Sequence, residues 1–256
     1  MKTTTARSFR TCNVHLEPMD LGQAVAELVD SGPHVGGRAV HLCNAYTLSL
    51  TAKDEDYAAV IDRGDLNLTD GMPLAWLGRR LGFPVDPKDR PRGCDVFIET
   101  ARAGVATGLR HYLYGGTLEV VSRLAAELRE LAPGIEIVGV ESPPFRPLET
   151  SEKDELVQRI KASSADIVWV GLGTPKQDHF VDEYRDQLDA TLVAVGAAFD
   201  FLTGSKPQAP VWVRRSGLEW VHRLATEPRR LWKRYLVGNT TFVAGAVRTG
   251  ARVSSR

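Results

Sequence analysis

The chain has 256 residues, enough for one large domain, or a domain with an appendage, around a sizeable core; its 43% hydrophobic content argues against disorder. Its net charge of zero hides two opposite halves: residues 206–256 carry 11 Lys+Arg against 2 Asp+Glu, and the preceding 205 carry 21 against 30. A basic tail holding Trp212, Trp220 and Trp232 on an acidic body points to an anionic partner, with a lipid surface, a nucleotide diphosphate and a nucleic acid as the candidates.

The N-terminal stretch lacks the apolar segment of a signal peptide, and nothing later approaches the roughly 20 apolar residues of a membrane span, so any membrane contact is expected to be peripheral. Cys12–Leu16 reads as a first short strand. It is followed by apolar, β-branched runs at Ala39–Cys43, Leu66–Thr69, His111–Tyr114, Ile135–Val140, Ile167–Val170 and Leu192–Val195. Amphipathic helical stretches such as Leu118–Leu131 and Glu152–Lys161 lie between them. From Pro228 on, helical spacing puts Arg229, Arg230, Lys233 and Arg234 on one arc of about 140°, opposite Leu231, Trp232, Tyr235 and Leu236. The alternation predicts an α/β fold, Rossmann-like, with a mostly parallel sheet flanked by helices and a basic helical C-terminal appendage. The expected division is a catalytic core over 1–204 and the appendage over 205–256.

Ligands of open α/β sheets bind beyond the carboxyl ends of the strands, which directs attention to the turns there. They contain Asn44, Thr69-Asp70-Gly71, Gly115-Gly116, Gly171-Leu172-Gly173-Thr174-Pro175-Lys176-Gln177 and Gly196. Small residues and helix N-termini at one sheet edge suit a phosphate-binding crevice. Asp70, between a strand and a helix, is the first candidate for a general base; its alternative role is to cap that helix. Gln177 can offer its amide to a sugar hydroxyl or phosphate, or be a surface residue. Arg90 and Arg92 present guanidinium forks suited to phosphate or carboxylate, while Asp95 can bond a hydroxyl or cap the next helix.

Other chemistries find less support. The third glycine of a dinucleotide fingerprint is replaced by Lys176, which counts against a nicotinamide-dependent oxidoreductase. Asp54-Glu55-Asp56 contains a D-x-D but precedes helical periodicity, where acidic residues complement a helix dipole. Scattered histidines and three cysteines without a CxxC predict no metal site and reduced thiols. A non-catalytic adaptor for membrane or nucleic acid would use the tail alone, leaving the glycine-marked turns without a role.

The chain resembles the WecG/TagA/CpsF glycosyltransferases of bacterial surface-polysaccharide assembly over roughly residues 12–240. The resemblance rests on the Asn44 turn, TDGMP (Thr69–Pro73), R-x-x-G-x-D (Arg90, Gly93, Asp95), G-x-G-x-P-K-Q-D (Gly171–Asp178), VGAAFDFLTG (Val195–Gly204) and AP-x-W…GLEW…RL…EP-x-R (Ala209–Arg230). It implies an inverting, metal-independent enzyme without cofactor. Such an enzyme moves an N-acetylmannosamine-type sugar from a UDP-sugar to a polyprenyl-diphosphate-linked acceptor, in the synthesis of surface polysaccharide or teichoic acid. It also implies a cytoplasmic protein, peripheral on the inner face of the membrane, that contacts an anionic surface and no nucleic acid; homo-oligomerisation is compatible with it. By this resemblance Asp70 is the base. Asn44, Thr69, Gly71, Arg90, Asp95, Gly171, Gly173, Lys176 and Gln177 bind substrate, and Arg215, Arg223 and Arg229 face the diphosphates. Leu42, Gln208 and His222 depart from the family pattern and bear on donor sugar and phosphate contacts.

Overall fold

The computed structural model describes residues 7–30 and 36–255. In chain order the first elements are β1 (Arg7–Thr11), β2 (Val14–Leu16), α1 (Leu21–Val29), β3 (Arg38–Cys43), α2 (Ala45–Thr51), α3 (Glu55–Asp62), β4 (Leu66–Thr69) and α4 (Met72–Arg80). There follow α5 (Gly93–Gly104), β5 (Arg110–Gly115), α6 (Leu118–Leu131), β6 (Glu136–Glu141), α7 (Thr150–Ser163), β7 (Ile167–Gly171), α8 (Lys176–Tyr184), β8 (Thr191–Ala194) and α9 (Ala198–Leu202). The C-terminal segment forms α10 (Val211–Ser216), α11 (Glu219–Thr226), α12 (Pro228–Trp232), a π-helical turn over Lys233–Val237, α13 (Gly238–Thr249) and β9 (Arg252–Ser255).

The larger sheet has six strands in the order β4-β3-β8-β7-β5-β6, and the pairings from β3 across to β6 are all parallel. Helices follow most strands, so the expected α/β class holds. The apolar runs between Ala39 and Val195 all form strands of this sheet, with ends shifted by at most a residue or so. Cys12–Leu16 behaves differently. Cys12 and Asn13 adopt positive φ of 48° and 70°, which turns the chain between β1 and β2 in the manner of a two-residue hairpin. These strands belong to a separate antiparallel sheet of order β2-β1-β9.

The chain forms two compact units. One takes the residues up to Leu21, Leu42–Arg92 and those from Pro207 onward; the other takes Gly22–His41 and Gly93–Lys206. In the first, Phe9, Leu16, Leu48, Ile61, Leu74 and Phe83 share a core with Phe242 of α13. The acidic run at α3 serves the helix itself, because Asp54 is its N-cap and accepts from the Tyr57 N–H at 3.0 Å. In the second unit, Trp169 of β7 is fully buried. It stacks on Phe97 at 4.2 Å between ring centroids, and its indole N–H donates to His111 Nδ1 at 3.0 Å.

Candidate active site

Two strand ends build the candidate site in the first unit. The Asp70 N–H donates to the carbonyl oxygens of Cys43 at 2.8 Å and Leu68 at 3.1 Å, so the turn after β4 is tied to the end of β3. Asn44 follows β3 as the N-cap of α2. Its Oδ1 accepts from the N–H groups of Tyr46 at 3.0 Å and Thr47 at 3.3 Å, while its Nδ2 donates to no described residue. The N-cap of α4 is Gly71, with no side-chain cap. Asp70 therefore does not cap α4, and its carboxylate makes no hydrogen bond among the described residues.

Asp70 lines a cavity of about 270 Å³ together with Asn44, Tyr46, Gly71, Trp76, Arg90, Glu219, Trp220, Arg223, Arg234 and Tyr235. A wider, more open groove of about 950 Å³ runs past Asp86, Asp89 and Trp212 in the same unit. That groove holds neither Asp70 nor Arg90, so the chemistry is assigned to the smaller cavity. Burial pushes the Asp70 carboxyl up to about 6; Arg90 opposes the rise, Glu219 adds to it, and Arg92 and Arg223 oppose it. A carboxylate raised towards neutrality and making no hydrogen bond among the described residues is suited to accept a proton.

Arg90 is buried and committed to its own protein. Its Nε donates to the Asp70 carbonyl at 3.0 Å, Nη1 to the Pro87 carbonyl at 3.2 Å, and Nη2 to the Arg214 carbonyl and Glu219 Oε2, each at 3.4 Å. Arg92 Nη2 donates to Glu219 Oε1 at 3.1 Å. Arg234 is arranged differently. Its guanidinium lies over the Tyr46 ring at 4.3 Å, and its buried Nε has no hydrogen-bond partner among the described residues. Burial, then the nearby Arg223 charge, lower the Arg234 pKa. The cavity thus holds a cationic group with no protein anion among the described residues.

The remaining sequence candidates fall in several places. Thr69 is buried at the end of β4 and does not line the cavity. Arg223 lines it, whereas Arg229 is exposed on α12 and does not. Arg215 sits in α10, and its side chain lies outside the described residues. Asp95, Gly171, Gly173, Lys176 and Gln177 belong to the second unit. There Asp95 occupies the first turn of α5. Gln177 is buried, its Oε1 accepts from the Gly173 N–H at 3.0 Å, and its Nε2 makes no hydrogen bond among the described residues. Lys176 is exposed at the start of α8. Gly171 has a packing reason to be glycine: a Cβ there would come within 2.7 Å of the Phe199 ring.

Glu219 and Tyr46 are cavity residues that sequence reasoning did not single out, and Arg234 is one it did not assign to the site. Glu219 was visible only as part of GLEW. Arg234 was placed on the basic arc of a regular helix, but the π-helical turn over Lys233–Val237 breaks that periodicity. Leu231 is buried, Trp232 and Leu236 are exposed, and Arg234 is drawn against Tyr46.

Residues 9–256 match the Glycosyl transferase WecG/TagA/CpsF family. The chain belongs to this family and is a glycosyltransferase. It is 30% identical over 224 residues, 87% of this chain and 79% of the relative, to an N-acetylglucosaminyldiphosphoundecaprenol N-acetyl-beta-D-mannosaminyltransferase of Bacillus spizizenii. A protein of the same description from Bacillus subtilis is 28% identical over 201 residues, covering 78% of this chain and 75% of the relative.

Proposed function

We propose that the protein is an inverting glycosyltransferase that moves an N-acetylmannosamine-type sugar from a UDP-sugar to a sugar on a polyprenyl diphosphate carrier, with Asp70 as the general base. The observation that carries this reading is the Asp70 carboxylate, which makes no hydrogen bond among the described residues and lies in a cavity that also holds Arg223 and Arg234. The two Bacillus relatives support the acceptor, a diphosphoundecaprenol-linked N-acetylglucosamine, and the transferred N-acetylmannosamine, because both are N-acetylglucosaminyldiphosphoundecaprenol N-acetyl-beta-D-mannosaminyltransferases.

The acceptor hydroxyl gives its proton to the Asp70 carboxylate as its oxygen attacks the anomeric carbon. The bond from that carbon to the diphosphate oxygen breaks on the opposite face, and UDP leaves with the electron pair, so the configuration inverts. General-base assistance of this kind contributes roughly 10²- to 10⁴-fold. Negative charge grows on the departing diphosphate, and Arg223 and Arg234 are the cavity cations suited to meet it. Asn44 is assigned to substrate through its unbonded Nδ2. In the second unit Gly171, Gly173, Lys176 and Gln177 are assigned to substrate binding, as is Asp95.

A peripheral position on an anionic membrane surface, at its inner face, completes the reading. Among the described residues no helix is long and apolar enough to cross a membrane, while Trp212, Trp220, Trp232, Leu236, Val243 and Val247 are exposed in the basic C-terminal segment. Aromatic and aliphatic side chains interspersed with arginines suit such an interface. The test is a transfer assay with a panel of UDP-sugars and a lipid-linked N-acetylglucosamine acceptor, on vesicles with and without anionic lipid. Transfer from UDP-N-acetylmannosamine, faster on anionic vesicles, is expected; transfer from no donor would overturn the reading.

A further inference from the structure

Glu219 is the first residue of α11, and it meets two buried guanidinium groups at once: Arg92 through Oε1 at 3.1 Å and Arg90 through Oε2 at 3.4 Å. Arg90 in turn holds the main-chain carbonyl of Asp70 and the carbonyl of Arg214 in α10. One carboxylate is thus linked through a single side chain to the turn that carries the candidate base. A second contact fixes the same segment. Gly217, at φ 82°, lies so close to α4 that a Cβ would stand 3.3 Å from Met72 and from Trp76. Asp70 lies just before α4 and Arg90 is its hydrogen-bond partner, so both contacts of the 216–219 segment fall on the structural neighbours of Asp70.

We propose that Glu219 is a positioning residue: a latch that fixes α10 and α11 on Arg90 and Arg92, and through Arg90 sets the main-chain turn and charge environment of Asp70. Removing its carboxylate leaves two buried cations without their shared anion, a state that favours release of α11 over retention of the fold around it. Undocking would also take Trp220 and Arg223 away from the cavity, since both are carried by α11. Among the described residues the charged groups that bear on Asp70 are Arg90, Glu219, Arg92 and Arg223. Taking away the one carboxylate among them stabilises the Asp70 anion, and water entering behind α11 acts in the same direction; withdrawal of Arg223, whose effect on Asp70 is smaller than that of Glu219, opposes both without reversing them.

The test uses the full chain with Glu219→Gln and the milder Glu219→Asp, and has two readouts. The first is amide hydrogen exchange and does not depend on the proposed function. Glu219→Gln should speed exchange in residues 211–226 by roughly tenfold or more, with Glu219→Asp intermediate and β7 and β8 unchanged. Wild-type exchange in 211–226 in both variants would overturn the latch. The second rests on the reading of Asp70 as base: in the transfer assay the acid limb of the kcat profile should move to lower pH in Glu219→Gln. An unmoved limb with reduced kcat would overturn the link to Asp70. A wild-type protein with no transfer at all would count against the proposed function while leaving the exchange result to decide the latch.

Discussion

The Asp70 N–H donates to the Cys43 carbonyl at 2.8 Å, so the turn carrying the candidate base is held by main chain to the residue just before Asn44. The carboxylate takes no part in this bond. Geometry and chemistry are therefore separable at Asp70, and replacing the carboxylate by an amide leaves the turn in place.

Asp70→Asn is expected to lower kcat by roughly 10²- to 10⁴-fold while the protein stays folded. It should also raise stability. The folded-state pKa of Asp70 is raised from 3.8 to about 6, so the charged form is disfavoured by the fold. The favourable contribution of the neutral form is complete below about pH 3.8 and is lost as pH rises through about 6. Thermal melts should show the variant more stable at pH 7.5 by about 1–3 kcal/mol, with the gap closing towards pH 4. In wild type, activity should rise with pH through about 6 and then level off, as expected of a base that must be ionised.

Arg234 has no protein anion among the described residues and lies against the Tyr46 ring. Arg234→Met should cost roughly 10²-fold in transfer and leave stability unchanged or higher, since a buried unpaired charge is removed. Arg234→Lys should recover little, because an ammonium reproduces neither the planar stack nor the fork. Steady-state kinetics beside melting curves separate the two effects.

His111 is held neutral in the second core. Burial lowers its pKa to about 4, with Asp166 acting weakly the other way. Its Nδ1 accepts the Trp169 indole N–H, and its buried Nε2 has no partner among the described residues. A depressed histidine pKa means that the unfolded chain takes up the proton first, so this contribution to stability is full above about pH 6.5 and is lost as pH falls towards 4. The melting temperature of wild type should fall more steeply over that window than that of His111→Leu, measured as the difference between the two curves.

Phe242 of α13 belongs to the same core as Phe9 and Leu48. Phe242→Ala should destabilise the protein by about 3–5 kcal/mol in denaturant titrations. Deleting everything after Gly204 removes this residue as well as the cavity residues from Ser216 to Asn239. Such a truncation is expected to abolish transfer, and point substitutions are the sharper tool for the arginines.

Much of the sheet was legible because its buried strands are short β-branched runs bounded by glycine-marked turns, and their carboxyl ends pointed to Asn44 and Asp70. Backbone geometry specific to three dimensions was not. The Cys12-Asn13 turn lacks the usual glycine, so its hairpin was hidden inside an apparent strand. A fixed angle of 100° per residue cannot represent the π-helical turn that carries Arg234. Whether Asp70 caps α4 depended on Gly71 taking the cap position. The commitment of Arg90 to Asp70, Arg214 and Glu219 joins residues up to 129 positions apart, beyond any local pattern.

The most direct measurement is the rate and anomeric configuration of sugar transfer from UDP-N-acetylmannosamine to a lipid-linked N-acetylglucosamine acceptor, for wild type and Asp70→Asn side by side. Asp70 acting as general base in an inverting transfer requires an inverted product from wild type and a loss of roughly 10²- to 10⁴-fold in the variant. Near-wild-type turnover by folded Asp70→Asn, or a product of retained configuration, would contradict it.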